Sequence, residues 1–254
     1  MAVPSNTTPS YNLKLPSTGK QVKFRPFLVK EEKILLMAEE SENEDQKINA
    51  VKQIIENCTF NKLDVEKLAM FDIEYIFLNI RMKSKGESTD LAFICERDKE
   101  DSNGEPVLDK SGNKQRCGEV MSVKYDLNNV EVEKLEGHTN KILIGDNTYV
   151  VMKYPGYETF SKIYSLVSSS TRTDAIIKVI VDSIDSFVEG ETVFDDFTEQ
   201  EVIGWLEGLT GDQFKKIEEF YRTMPKLRGK LEFKCNCGKY DNEVQLEGLQ
   251  SFLE

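Results

Sequence analysis

The cysteines are the residues of this sequence whose type and spacing best suit chemistry. The order Phe-x-Cys, followed by Cys-Gly, occurs twice along the chain. The cysteines in these two passages are Cys95, Cys117, Cys235 and Cys237. Cysteine thiolates at strand ends and beside tight glycine turns are typical ligands of structural zinc. If the four side chains converge, they form a tetrahedral all-thiolate site, so the sequence predicts zinc as a structural cofactor.

The spacing of these cysteines supports a second interpretation. Zinc ribbons commonly use Cys-x2-Cys, whereas a single residue separates Cys235 from Cys237 and a long polar segment separates Cys95 from Cys117. A single intervening residue strains joint tetrahedral ligation. The alternative is that these are buried thiols of two β-hairpins and that the protein holds no cofactor. The fifth cysteine, Cys58, lies on the apolar stripe of a predicted helix, where we expect core packing.

The sequence offers no set of catalytic residues. His138 is the only histidine, and it lies in a polar loop beside Gly137, where we expect a solvated side chain. A Ser/His/Asp or Cys/His system would depend on this residue alone, and the glycines form no phosphate-binding motif. A hydrolase with paired carboxylates is the enzymatic alternative, although acidic pairs such as Asp195-Asp196 fall at a predicted helix start. We therefore predict that the protein is not an enzyme.

Composition limits the classes of partner. The 254 residues include 33 basic and 45 acidic ones, for a formal charge of -12. This acidity disfavours general nucleic-acid binding, which needs a basic surface. No apolar run approaches the length of about 18 residues needed for a membrane span, and residues 1–10 lack the features of an export signal. We therefore expect reduced thiols, which favours metal over disulfides.

The order of predicted elements indicates an α+β fold. It comprises an N-terminal β-hairpin, two helical blocks that flank a central antiparallel β block, and a C-terminal β-hairpin that carries cysteines. The predicted divisions are 1–10, a disordered or extended arm; 11–88, the hairpin plus helices; 89–154, the central β block with Cys95 and Cys117; 155–225, a helical block; and 226–254, the C-terminal hairpin with a short helix, packed on the β block.

Apolar periodicity and capping residues predict the helix boundaries. One helix is predicted over 65–82 with Asp64 as its N-cap, and another over 174–188. Thr198 and Thr210 each precede a Glu or Gln by three residues, which predicts a capping box at the start of two further helices.

Two local positive patches stand out on this acidic chain. One is Arg25 within Lys23–Phe27, and the other is the segment Lys226–Lys230. Such charges are typical of a solvated strand edge that resists aggregation. The alternative is a docking face for an acidic partner.

Both ends of the chain carry a familiar pattern. The stretch from Leu15 to Ala38 resembles the opening of the baseplate hub proteins of T-even-type contractile-tailed bacteriophages. The segments 220–229, 233–238 and 246–252 are similar to the C-terminal signature of the same family, so the resemblance covers nearly the whole chain. The family pattern there is Cys-x-x-Cys-Gly, and the single residue between Cys235 and Cys237 departs from it, which weighs against metal binding.

The resemblance implies a structural or assembly role in the hub of the tail baseplate, exerted through protein–protein contacts. The implied partners are other hub or tail proteins, or further copies of this chain, with no nucleic acid and no membrane. The implied location is the host cytoplasm during assembly and the virion baseplate for a structural subunit. The alternative is an assembly chaperone that holds a tail protein such as the tape measure and is absent from the mature virion.

Two apolar strips are the predicted partner-binding surfaces, because assemblies need strips that pair only with the right neighbour. The residues of these strips are Arg25, Phe27, Leu28, Leu249, Phe252 and Leu253.

Overall fold

The computed structural model describes residues 7–41, 44–101, 103–157, 159, 172–235 and 241–252, and within them the fold is α+β as predicted. The strands are β1 (Tyr11–Lys14), β2 (Gln21–Phe24), β3 (Ser88–Ile94), β4 (Val120–Asp126), β5 (Glu131–Glu133), β6 (Lys141–Leu143), β7 (Thr148–Met152), β8 (Ile184–Glu189), β9 (Thr192–Phe194), β10 (Lys226–Lys234) and β11 (Asp241–Glu247). The helices are α1 (Val29–Glu39), α2 (Glu44–Cys58), α3 (Met70–Lys85), α4 (Arg172–Ser183), α5 (Glu199–Glu207) and α6 (Gly211–Thr223).

The chain divides into two compact units, each built from two separate stretches. Unit 1 comprises Met1–Ser84 and Val132–Lys226, and unit 2 comprises Lys85–Glu131 and Leu227–Glu254. Both predicted cysteine passages therefore belong to unit 2. None of the helices in the described ranges is long and apolar enough to cross a membrane.

Unit 1 begins with the predicted hairpin, in which β1 pairs antiparallel with β2. The turn between these strands is fixed to α3 by Asp72, which is fully buried. Its carboxylate accepts hydrogen bonds from the backbone N–H of Ser17, at 3.0 Å, and from the Ser17 hydroxyl. Burial raises the pKa of Asp72, although both hydrogen bonds oppose that shift. The hairpin is thus held by a buried polar contact as well as by its apolar face.

One core of unit 1 lies between a sheet and three helices. The sheet has the order β6-β7-β8-β9, with every neighbouring pair antiparallel. Apolar side chains of the sheet and of α4, α5 and α6 fill this core; among them are Val150, Met152, Ile180, Ile184, Val202, Leu206, Ile217 and Phe220. The capping boxes predicted at Thr198 and Thr210 are both present, and they fix the first turns of α5 and α6.

Two predicted helices have different boundaries in the structure. The helix predicted over 174–188 ends at Ser183, because Ile184–Glu189 is strand β8, which pairs with β7 and β9. A segment that is apolar nearly all round does not distinguish a buried helix from a buried strand, and sheet pairing decides the outcome here. The helix predicted over 65–82 is a short 3-10 turn, Val65–Lys67, followed by α3. Its predicted cap, Asp64, makes no capping hydrogen bond.

Arg25 is buried inside unit 1 and does not lie at a solvated strand edge. Its guanidinium donates two hydrogen bonds to Glu31, at 3.1 and 3.2 Å, and one to the carbonyl of Pro26 at 2.9 Å. The Glu31 carboxylate is fully buried and also accepts from the backbone N–H of Leu28 at 2.9 Å. Burial opposes ionisation of Glu31, but the hydrogen bonds from Arg25 and Leu28 outweigh it and lower the pKa. The positive charge at this position therefore stabilises the start of α1.

His138 is also buried, which overturns the expectation of a solvated side chain. The Thr223 hydroxyl donates to the carbonyl of Glu219 at 2.7 Å, so the Thr223 oxygen accepts from Nδ1–H of His138 at 2.9 Å. The Nε2 atom then accepts from the Tyr154 hydroxyl at 3.1 Å. Burial, together with the charge of Lys134, lowers the pKa of His138 below its ordinary value. The neutral ring is therefore a satisfied part of the core.

The Arg25–Glu31 pair yields a stability prediction. Replacing Arg25 with alanine leaves the Glu31 carboxylate buried without its main partner, so the free energy of unfolding should fall by about 3–5 kcal/mol. Lys23→Ala, an exposed change two residues earlier, should alter it by no more than about 0.5 kcal/mol. Urea denaturation measures both variants. Equal, small effects would show that the buried pair contributes little.

The burial of His138 yields a pH prediction. Because the folded pKa lies below the unfolded value of 6.5, the stability from the neutral ring is present above that pH and is lost as pH falls through the folded pKa. Below pH 6.5, the free energy of unfolding should therefore fall more steeply with decreasing pH in the natural chain than in His138→Gln, whose side chain at this position cannot titrate. Chemical denaturation over a series of pH values measures this, and identical slopes would contradict it.

Candidate metal centre

Two β-hairpins of unit 2 present apolar faces to each other. In one, β3 pairs antiparallel with β4, and in the other β10 pairs antiparallel with β11. The side chains alternate along each strand, so that Leu91 and Met121 of the first hairpin are buried, as is Leu231 of the second. The rings of Phe93 and Phe233 stack across the gap, with centroids 5.0 Å apart. The two Phe-x-Cys passages of the sequence thus lie side by side.

Cys95, Cys117 and Cys235 converge beside these stacked rings. Their Sγ atoms all lie within 4.8 Å of one another, and those of Cys117 and Cys235 are 3.9 Å apart. Cys95 and Cys235 are buried, and Cys117 is partly exposed. Four thiolates around zinc, with Zn–S distances of about 2.3 Å, have sulfurs about 3.8 Å apart, whereas a disulfide needs about 2.05 Å. The spacing therefore suits joint ligation of one metal ion better than a disulfide.

The fourth predicted ligand, Cys237, lies outside the described residues, in the segment 236–240. The described site is consequently a set of three sulfurs. This segment joins β10 to β11, so Cys237 follows Cys235 in the connection of the same hairpin.

A β-bulge at Gly118 places Cys117 next to Cys95. Cys95 donates its N–H to the carbonyl of Glu119 and accepts at its own carbonyl from the N–H of Gly118, each at 2.9 Å. Two residues of one strand thus oppose a single residue of the other, with Gly118 at φ 67°. This is the pattern of a glycine bulge, which re-aims the neighbouring side chain. The Cys-Gly pair of the sequence is explained by this backbone requirement.

The long segment between Cys95 and Cys117 closes on itself. Lys99 N–H donates to the carbonyl of Gln115, Gln115 N–H to that of Val107, and Val107 N–H to that of Lys99, at 2.7 to 2.8 Å. Asp101 and Asp109 each accept two backbone N–H groups from the turn that follows. The ends of the segment are therefore adjacent, and the wide spacing in sequence does not separate the two sulfurs. The repeated Asp-x-(Asn/Ser)-Gly pattern is the sequence signal that predicts these turns.

The first predicted partner-binding strip, formed by Arg25, Phe27 and Leu28, is only partly exposed. Arg25 is buried, the N–H of Phe27 donates to the Ser84 hydroxyl at 3.0 Å, and Leu28 retains 40% of its exposure. The side chain of Leu28 is therefore the part of this strip that solvent reaches most. Binding of a partner at this strip stays a prediction.

The second strip lies at the end of unit 2. Leu249 and Phe252 are buried, and the Phe252 ring stacks on Tyr125 with centroids 6.0 Å apart. A Cβ at Gly229 would overlap the Tyr125 hydroxyl, so the glycine in β10 permits this close packing. Leu253 lies outside the described residues. The described side chains of this strip thus complete the core of unit 2, and a role in binding a partner stays a prediction.

The comparisons with known proteins point to one family. The model of the family described as T4 bacteriophage base plate protein matches residues 8–254, which is nearly the whole chain. Searches of curated proteins and of solved structures found no significant match. A match of this extent includes both units and all four cysteines of the candidate site. The chain therefore belongs to the family of T4-type bacteriophage base plate proteins.

Proposed function

We propose that the protein is a structural or assembly component of the baseplate hub and acts through protein–protein contacts. The observation that carries this proposal is the family match over residues 8–254. The assignment to the hub rests on the two end motifs, which resemble those of hub proteins. Its partners are then other hub or tail proteins, met in the host cytoplasm during assembly and retained in the tail of the virion.

The chemistry of the described residues supports contact rather than catalysis. The single histidine, His138, has both ring nitrogens engaged by Thr223 and Tyr154 inside the core of unit 1. The cluster of Cys95, Cys117 and Cys235 lies against stacked phenylalanines, as a structural site does. With Cys237 as a fourth ligand the site would be closed, as structural zinc sites are, whereas catalytic sites keep an open position for substrate or water.

We further propose that the cysteine cluster binds one zinc ion and that Cys237 completes its ligand set. The support is the mutual distance of the three described sulfurs, all within 4.8 Å, and the burial of two of them. Zinc would join the hairpin β3–β4 to the hairpin β10–β11 at one end of unit 2. The described core around the sulfurs is small, with Met121 as its only fully buried residue besides cysteines. Ligation would therefore supply much of the stability at this end.

The place of the protein in the tail is tested by mass spectrometry of purified mature particles. A structural subunit of the hub gives peptides of this chain in every preparation, at a constant ratio to other baseplate proteins. Particles stripped of loosely bound protein by a high-salt wash serve as the control. Detection only in assembly intermediates, and not in mature particles, would instead identify an assembly factor that leaves before maturation.

Zinc binding is tested by metal analysis of the purified chain. The natural protein should carry about one zinc ion per chain, and Cys117→Ser should reduce this to less than about half, because a thiolate ligand is lost. Cys58→Ala is the matched control, since Cys58 is buried in unit 1 with a pKa raised to about 12 by burial, and it should retain the metal. Less than about half an equivalent in the natural protein would contradict the site.

A further inference from the structure

Within the described residues, no strand pairs with the backbone groups at the outer edge of strand β3. Leu127 N–H donates to the carbonyl of Glu87, and Cys95 N–H donates to that of Glu119. Because bonded positions alternate in an antiparallel ladder, Ala92 and Ile94 between them point their N–H and C=O groups away from β4. In the described part of the chain this sheet has only two strands, so no other strand covers that edge.

A groove of about 790 Å³ lies beside β3, and residues from Ala92 onward contribute to its lining. Its lining includes the seven consecutive residues Ala92–Asp98, together with Arg116 and Met121 of the same hairpin and Phe233, Asn242 and Val244 of the other hairpin. A strand laid against β3 would place its backbone on the open edge and alternate side chains into this groove. The ring of Phe233 and the side chain of Val244 give those side chains an apolar surface to contact.

The solvent face of the β3–β4 hairpin carries one pair of large apolar side chains. Ile94 and Val120 are opposite each other in register, and they retain 65% and 63% of their exposure. Natural edge strands are normally protected by proline, lysine or a bulge. The segment Leu91–Ile94 contains none of these protections, although Asp90 stands at its start. Both features suit an edge that is covered in an assembly.

We propose that β3 accepts an extended strand from another baseplate protein, which adds to the sheet at this edge. This inference rests on the proposed contact function and specifies the kind of partner. The partner segment is an extended stretch with alternating apolar residues that enter the groove beside Phe233. A second copy of β3 fits less well, because antiparallel pairing centred on Ala92 would set Asp90 of each copy beside Ile94 of the other.

A matched pair of proline variants isolates the β3 edge. Ala92 and Ser122 are opposite each other in register and both are exposed, but their N–H groups point out of opposite edges of the hairpin. Proline removes the N–H and places its ring on that edge, at positions that do not bond within the hairpin. Ala92→Pro therefore blocks the proposed edge, whereas Ser122→Pro imposes a similar cost on the hairpin and leaves the β3 edge open.

The probe is a set of overlapping peptides of about 15 residues, long enough to contain a strand, which covers the baseplate proteins of the same phage. The full chain is titrated against each peptide. At least one peptide should bind the natural chain and Ser122→Pro with equal affinity, and bind Ala92→Pro at least about tenfold more weakly, because a ladder hydrogen bond is lost and the ring blocks approach.

Three outcomes would overturn strand addition at β3. No peptide binds the natural chain, or a peptide binds both proline variants equally weakly, or it binds both variants as tightly as it binds the natural chain. Formation of a dimer in solution that only Ala92→Pro disrupts would assign the edge to a second copy and overturn the proposed partner. Each of these results leaves the detection of the chain in mature particles unaffected. Failure of this inference is thus distinguishable from failure of the proposed function.

Discussion

The convergence of three sulfurs from distant parts of the chain is the constraint on which unit 2 depends. Cys95 and Cys117 belong to one hairpin and Cys235 to another, yet their Sγ atoms lie within 4.8 Å of one another. The hairpin β3–β4 is a two-stranded sheet, and such a hairpin alone is marginal in water, so it needs the apolar face of the hairpin β10–β11. The two hairpins are far apart in sequence, because the chain leaves unit 2 after Glu131, forms the second part of unit 1, and returns at Leu227.

In unit 1, buried carboxylates likewise bring together residues from different elements. The buried carboxylate of Glu31 is tolerated because Arg25 and the N–H of Leu28 satisfy it. The buried carboxylate of Asp72 is likewise satisfied by Ser17. An unsatisfied buried polar group costs far more than its hydrogen bond contributes. These contacts therefore specify which turn and which helix start lie together, in addition to the stability that the apolar core supplies.

In this protein, the residue types that often serve catalysis instead hold the fold together. Three of its five cysteines form a compact cluster, its histidine is a neutral part of the core, and the buried pair of Arg25 and Glu31 fixes a helix start. Among the described residues, the apolar side chains that remain exposed include the pair Ile94 and Val120 on the solvent face of the β3–β4 hairpin. A strand edge without a partner suits assembly, because an added strand binds through the backbone and is selected by side-chain pockets.

The sequence by itself determined the features that local patterns encode. Apolar periodicity gave the α+β class and most elements, Thr198 and Thr210 gave two capping boxes, and the end motifs indicated the baseplate family that the family match confirms. Three of the four cysteines proposed as ligands are indeed adjacent. Capping and apolar periodicity depend on residues close in sequence. Cysteine is a typical metal ligand wherever it stands in the chain.

Only the tertiary structure decided the features that depend on distant partners. The burial of Arg25 and His138 requires Glu31, Thr223 and Tyr154 to be in place, and neither loop sequence indicates it. The segment 184–189 is a strand because β7 and β9 lie on either side of it. The open edge of β3 likewise depends on which strands are absent from its side within the described chain. Apolar periodicity in the sequence indicates which residues are buried, whereas contacts between distant elements decide which residues bury them.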